Sequence, residues 1–354
     1  MARPDITVMG AGIFGLSIAW ILSQRGARVR VIEKRALGAG ASGGPLGALA
    51  PHVPELWNAK KTFQLQSLLM SAKFWAEVEE SSGHKTGYAR TGRLLPLAHA
   101  HAVAQARARM EMAQDIWQEH ALWQVIDRPM VQWSPPSPSG LVVYENLTAR
   151  IQPLAALQSL VKAVVAIGGE VIFGASLAHG SDAGPVIWAT GYEGLLEMGD
   201  ALGQSVGVGE KGQAMLLDFV APQNAPQLFV DGVHFVPHEN GTLAIGSTRE
   251  RYWDNPDQTD AQLEYLYQKT LGIFPFLRDT KVLTRWACLR PRSNTRAPIL
   301  GEWPGRPGHY IANGGFKIGI GMAPKLAHVM ADLVLDGKNG VPEGLDVSAN
   351  LAST

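Results

Sequence analysis

Three glycines at fixed spacing and an acid shortly after them form a pattern able to hold a dinucleotide. Gly10-Ala11-Gly12-Ile13-Phe14-Gly15 reads G-x-G-x-x-G, and Glu33 follows eighteen residues after Gly15. Gly10 allows a tight turn, Gly12 lets backbone approach a pyrophosphate, and Gly15 lets a helix pack closely on a strand. A helix starting here offers amide donors and the positive end of its dipole to the phosphates. The Glu33 carboxylate can accept from both ribose hydroxyls and would repel a 2′-phosphate, which argues against NADP. The motif by itself does not choose between NAD and FAD.

The elements that must position these residues are legible around them. Ile6-Thr7-Val8-Met9 reads as a short apolar strand, about 13–24 as an apolar-periodic helix, and Val29-Arg30-Val31-Ile32-Glu33 as a second strand. Together they form a βαβ unit. A second glycine-rich loop, 38–47, follows. Helical periodicity covers about 60–80, 98–122, 153–167, 260–270 and 319–335, the last with an interruption at Pro324. Residues 86–97 read as a strand pair turning at Gly92, and 169–173, 185–191, 214–220, 234–237, 242–246 and 309–313 as strands. The apolar run ending in Ala189-Thr190-Gly191 suits a buried parallel strand. Ser134-Pro135-Pro136-Ser137-Pro138-Ser139-Gly140 is a loop where the chain could cross between domains. There is no internal repeat.

Composition narrows the function classes. The chain has 354 residues, enough for two domains, with 46% hydrophobic and 18% charged residues. Its 31 basic and 31 acidic side chains give zero net charge, so no electrostatic footprint for nucleic acid is visible. The single cysteine, Cys288, excludes an internal disulfide and a cysteine-based zinc site, and no metal site is expected. Arg3 before an apolar stretch superficially suggests a signal peptide, but that stretch is the first strand and helix. No run of about 18 apolar residues suggests a membrane span, and the expected compartment is the cytoplasm.

Motifs in series resemble the glycine oxidase and D-amino acid oxidase family of FAD-dependent oxidoreductases. They are Gly10-Ala11-Gly12-Ile13-Phe14-Gly15 with Glu33-Lys34, then Gly40-Ala41-Ser42-Gly43, then Ala189-Thr190-Gly191. Arg290-Pro291 with Ala297-Pro298-Ile299-Leu300-Gly301 comes next, and Asn313-Gly314-Gly315-Phe316-Lys317-Ile318-Gly319 closes the series. The resemblance implies an α/β fold of two domains: a Rossmann-type FAD domain, discontinuous over 1–85, 140–210 and 286–354, and a mixed-sheet substrate domain over 86–139 and 211–285. It also places Leu46, Gly47, Ala48 and Leu177 on the cofactor, and the start of the last helix at the flavin pyrimidine. There a backbone nest over 315–319 would stabilise negative charge, with Lys317 adding a cation.

The same resemblance implies the chemistry. An arginine before proline, here Arg290, binds the substrate carboxylate, a task suited to the planar fork of a guanidinium. The α-carbon then lies over flavin N5, hydride transfer gives an imine, and the protein supplies mainly orientation. The implied substrate is a small amine or amino acid, with oligomeric state left open. His234 takes the place of a carboxylate-binding tyrosine of glycine oxidase, and Arg249 that of an apolar pocket residue; both departures suit a larger or acidic substrate. His52 is a further pocket candidate. Glycine oxidase-like enzymes hold FAD noncovalently, whereas sarcosine oxidases carry a flavin-linked cysteine near the position of Cys288. Two other readings stand beside this one. Gly-Ala-Ser-Gly followed by Gly47-Ala48-Leu49 is shared with FAD-dependent tRNA-modifying enzymes, against which the neutral charge argues, and a flavin-binding subunit without turnover is the other.

Overall fold

The protein is described from a computed structural model covering residues 6–176 and 184–352. The glycine-punctuated N-terminus forms the expected βαβ unit. β1 (Ile6–Met9) and β2 (Val29–Glu33) run parallel with Ile6 opposite Val29, joined by α1 (Ile13–Gln24). α1 is buried from Ile13 to Ser23, which explains why its sequence is apolar on nearly every side. α4 (Pro153–Ala166) and α7 (Gly319–Asp336) both pack against it, and α2 (Ala59–Ser82) packs on both of them.

Among the described residues, six strands form one sheet in the order β15-β16-β9-β1-β2-β8. The added strands are β8 (Glu170–Phe173), β9 (Val186–Trp188), β15 (Ile299–Glu302) and β16 (His309–Asn313). β1 has β2 on one side and β9 on the other, both parallel to it. The chain therefore reverses its direction of travel across the sheet at β1, and ligands of α/β sheets bind at the carboxyl ends of strands at such a switch point.

A second sheet has the order β14-β10-β13-β12-β11-β4-β6-β5. Its strands are β4 (Arg93–Pro96), β5 (Trp123–Asp127), β6 (Leu141–Glu145), β10 (Gly207–Asp218), β11 (Gln227–Val230), β12 (Val233–Pro237), β13 (Thr242–Gly246) and β14 (Val282–Ser293). It is mixed, because β4 and β11 are parallel whereas its other pairs are antiparallel. Side chains alternate across a strand. One face sends Met215, Leu228, Phe235 and Ile245 into a core shared with Leu263 and Leu266 of α6 (Ala261–Ile273). The other face carries Arg93, Ala214, His234 and Arg290, which line a cavity. A two-stranded ribbon, β3 (Ala48–Leu49) with β7 (Ala149–Arg150), joins the second glycine loop to the chain leaving β6. α3 (Ala100–Trp117) covers β5, α5 (Gly191–Leu202) packs on β10 and β14, and α8 (Val347–Leu351) packs on β15.

Several expectations are corrected. Residues 86–97 do not form a strand pair: only Arg93–Pro96 is a strand, pairing with β6 and β11. Gly87 and Gly92 both have left-handed φ, 72° and 75°, so the chain turns twice before β4 begins. The helix expected over 98–122 stops at Trp117, where Gln118 takes a φ of 51°. Pro324 lies inside α7 without dividing it, because burial against α1 and α2 holds the helix together. β6, just after the boundary expected at 140, belongs to the larger sheet, and the boundaries expected at 210 and 286 fall inside β10 and β14. Those two strands pair along nearly their whole length, Gly207 opposite Ser293 through Leu217 opposite Val282.

The turn between β1 and α1 depends on backbone contact. A Cβ on Gly15 would lie 1.9 Å from the Gly10 carbonyl oxygen. Backbone cannot yield as a side-chain tip does, so Gly15→Ala should cost about 1–3 kcal/mol of stability. Chemical denaturation of the variant checks this, a stability equal to that of the parent being the contrary result.

Candidate active site

The cavity measures about 1190 Å³ and runs from the β1–α1 turn to the inner face of the larger sheet. Gly10, Ala11, Gly12, Ile13 and Phe14 line its nucleotide end. Gly12 caps α1 with no side-chain cap of its own, leaving amides of the first turn open to a ligand. Ser42 reaches back from the second glycine loop, its Oγ accepting from Ile13 N at 3.0 Å. A Cβ on Gly12 would stand 3.3 Å from that oxygen. Glu33 lines the cavity and accepts from Ala11 N and Arg35 N, both at 2.9 Å, so its carboxylate is anchored where β2 ends. Lys34 lines the same region and pairs with Glu193 at 3.2 Å.

The remaining expected cofactor residues divide into wall and support. Ala41, Ser42, Leu46 and Ala48 face the cavity. Ala189, Thr190 and Gly191 do so from the end of β9, and the buried Thr190 Oγ1 has no hydrogen-bond partner. Gly15, Gly43 and Gly47 do not line it. Each allows close backbone packing instead: a Cβ on Gly43 would lie 1.9 Å from Gly38 O, and one on Gly47 1.8 Å from Ile151 O. At the start of α7, Gly315, Phe316, Lys317, Ile318 and Gly319 face the cavity, whereas Gly314 turns the chain with a φ of 76°. The expected nest is partly used by the protein, since Phe316 N donates to Pro291 O and Ile318 N to Gly315 O, both at 3.1 Å. The uncapped first-turn amides of α7 remain. Leu177 lies outside the described residues.

At the other end Arg290 is buried and lies across β10. A Cβ on Gly212 would stand 1.9 Å from the guanidinium carbon, so only glycine lets the side chain pass. Arg290 Nη1 donates to Thr248 O at 3.1 Å, and the other donors face the cavity without a protein hydrogen bond among the described residues. His234 also lines the cavity. Burial, then the charges of Arg93, Lys317 and Arg290, pushes its imidazole down to about 3, so it is neutral, with Nδ1 unpartnered. Lys317 is lowered to about 8, chiefly by burial and next by Arg290, while Glu210 opposes the shift.

Two pocket expectations are corrected. Arg249 does not line the cavity; its Nε bonds Glu210 Oε1 at 2.9 Å. His52 is held by the Gln64 side chain, through both its backbone N and its Nδ1, and Gln64 rather than His52 reaches the cavity. The reason in the first case is Glu210. Its side chain is 1% exposed and opposite Arg290 in the β10–β14 register, with Arg292 at 3.6 Å and Lys317 at 3.8 Å. A buried carboxylate is tolerated only when paired, and Arg249 helps to pair it. Glu210 and Arg93 escaped sequence reasoning, because nothing in a strand sequence says which distant cations its acid will meet. Gly212 inside a strand was a readable signal of close approach.

Cavity, switch point and glycine-rich turn together have the form of a dinucleotide site opening onto a chamber lined by Arg93, His234, Arg290 and Lys317. A family model described as FAD dependent oxidoreductase matches residues 5–333, and the chain belongs to that family. Its cofactor is FAD. The bifunctional protein ThiO/ThiG of Nostoc sp. (strain PCC 7120 / SAG 25.82 / UTEX 2576) is 26% identical, over 95% of this chain and 53% of that protein. The chain thus spans about half the length of the bifunctional relatives it matches. Glycine oxidase of Geobacillus kaustophilus (strain HTA426) is 24% identical over 94% of this chain and 93% of its own. The crystal structure of glycine oxidase from Geobacillus kaustophilus superposes with a TM-score of 0.83 at 20% identity, covering 98% of this chain and 99% of that one. That of iminodiacetate oxidase from Chelativorans sp. BNC1 gives 0.81 at 21% identity, over 95% and 97%. The residues present fit FAD: uncapped amides at two helix N-termini, the buried unpartnered Thr190 hydroxyl, and a chamber beyond them.

The Lys317 shift carries a pH dependence. Its ammonium is charged below about 8 and neutral above, so it attracts a bound carboxylate only on the acid side. Affinity for a simple carboxylate should therefore fall as pH rises through about 8, and this step should vanish in Lys317→Met. Titrations of the FAD-bound protein with acetate across that range test it. A step of the same size in the variant would show that another group is responsible.

Proposed function

We propose that this protein oxidises the C–N bond of a small amine or amino acid bearing a carboxylate, with Arg290 as the carboxylate clamp. The observation that carries the reading is the buried guanidinium itself, laid over Gly212 with donors facing the cavity. FAD, when bound, accepts the two electrons leaving the substrate carbon. The protein's part is positional. Arg290 receives the carboxylate, neutral His234 offers a polar edge without adding charge, and the walls exclude water from the reacting carbon. Lys317 and the start of α7 bring positive potential to the cofactor's side of the chamber.

The larger sheet with its helices forms the substrate domain in this reading, and the β1-centred sheet the FAD domain. Zero net charge gives the chain no overall attraction for tRNA phosphates, which disfavours a tRNA-modifying role. FAD is held noncovalently. Cys288 lines the cavity, but burial raises its thiol pKa, leaving little thiolate to attack a flavin methyl group. A cytoplasmic location accords with the single cysteine.

A panel of amines and amino acids, added anaerobically, should bleach the flavin where the substrate carries a carboxylate beside the amine. No bleaching by any such compound would overturn the reading. Arg290→Lys keeps the charge but loses the bidentate fork. With charged hydrogen bonds worth about 1.5–3 kcal/mol, it should raise the substrate Kd roughly ten- to a hundred-fold. Unchanged kinetics in Arg290→Ala would remove Arg290 from the role. Acid precipitation should release all the FAD to the supernatant; colour kept in the pellet, and lost in Cys288→Ser, is the opposite outcome.

A further inference from the structure

A second arginine lines the same cavity from a distant strand of the larger sheet. Arg93 on β4 is 6% exposed and lines the cavity with Arg290, His234 and Lys317. Alternation puts it there: its neighbour Leu94 points into the opposite core, while Arg93 stands across from Glu145 and Gln227. Its guanidinium lies 5.9 Å from the Phe229 ring centroid, and that ring lies 4.4 Å from the His234 ring. β4 and β14 are five strand spacings apart, roughly 24 Å along the sheet. Arg290 leans over Gly212 on β10 and Arg93 lies by Phe229 on β11, so β12 with His234 stands between them in the sheet and both charges are felt there.

Glu145 accounts for the charge of Arg93 but not for its donors. The pair approaches to 3.1 Å at Nε, yet Nε lacks the direction of a hydrogen bond and stays unpartnered. Glu145 is already engaged. It accepts from Leu147 N and Thr148 N, both at 2.9 Å, and from the Thr148 hydroxyl. Among the described residues, no hydrogen bond is made by the Arg93 guanidinium. Buried donors left unmade cost free energy, and a guanidinium is shaped to give two of them to one carboxylate.

We infer that Arg93 receives a second carboxylate, at the end of the substrate opposite the one held by Arg290. The substrate class is then an extended amine with two carboxylates, such as an acidic amino acid or an N-carboxyalkyl amino acid. That assignment rests on the proposed C–N oxidation, whereas the two-ended carboxylate site stands apart from it. The partial neutralisation by Glu145 keeps Arg93 tolerable in the empty pocket, and the ligand completes its hydrogen bonds.

The test uses the FAD-bound protein and ligands without an amine, which bind and do not react. Acetate, succinate and glutarate are titrated while the flavin absorbance is followed. Succinate or glutarate should bind about ten-fold or more tightly than acetate, as a charged hydrogen-bonded contact implies. Arg93→Lys should erase most of that preference and leave acetate within about two-fold of its parent affinity. Removing Arg93 alone would strand a buried carboxylate, so the neutral pair Arg93→Met with Glu145→Gln is the second variant, its fold verified by FAD retention and circular dichroism. Equal affinity for mono- and dicarboxylates in the parent protein, or a preference surviving in both variants, would overturn the inference. If the preference depends on Arg93 but no amine bleaches the flavin, the oxidation reading fails and the site stands. If amines bleach the flavin and the preference is absent, this inference alone fails.

Discussion

The cationic wall of the cavity depends on one buried carboxylate. Glu210 lies almost fully buried on β10, opposite Arg290, with Arg249, Arg292 and Lys317 within 4 Å. Without it, these cations would crowd one another in a low-dielectric interior. With it, Arg249 and Arg292 are drawn to the carboxylate, and Arg290 is free to turn its donors toward a ligand. The same carboxylate limits how far burial and neighbouring cations lower the Lys317 ammonium. A cationic chamber is thus built around a carboxylate that does not itself line the cavity.

The second constraint is steric and belongs to the backbone. Gly10, Gly15, Gly43, Gly47 and Gly212 each stand where a Cβ would meet another backbone or the Arg290 guanidinium at 2.5 Å or less. Gly10 seats the β1–α1 turn on Ala189 and Gly15 closes that turn on Gly10, while Gly43 closes the second glycine loop on Gly38, Gly47 seats it on Ile151, and Gly212 leaves room for the Arg290 guanidinium. Of these glycines, Gly10 lines the cavity and the other four do not. Those four let two pieces of chain, or a guanidinium and a strand, come close together behind its walls. This explains why residues with cofactor-binding spacing divide into those that line the cavity and those that support its walls.

The two sheets contribute unlike chemistry to one space. The β1-centred sheet brings amides and helix ends, which recognise phosphate by dipole and hydrogen bond. The larger sheet brings charged side chains on one face and an apolar core on the other, the alternation of its strands separating Arg93, His234 and Arg290 from Leu94, Phe235 and Met215.

Local chemistry was legible in the sequence because it acts over short separations. The βαβ unit, the turn glycines and Glu33 lie within twenty-eight residues, from Ile6 to Glu33, and their spacing follows from helix and strand geometry. Strands β12 and β13 and helices α4 and α6 were likewise visible, as apolar alternation and helical period. What the sequence by itself could not decide was which charges meet. Arg249 was expected to face the pocket and instead bonds Glu210, thirty-nine positions away; Arg93 was expected in a hairpin and instead faces the chamber, paired with Glu145 across β6. Only the tertiary structure settles such pairings, because the cost of burying a charge depends on every other charge brought to the same place, and sheet order brings together residues far apart in the chain.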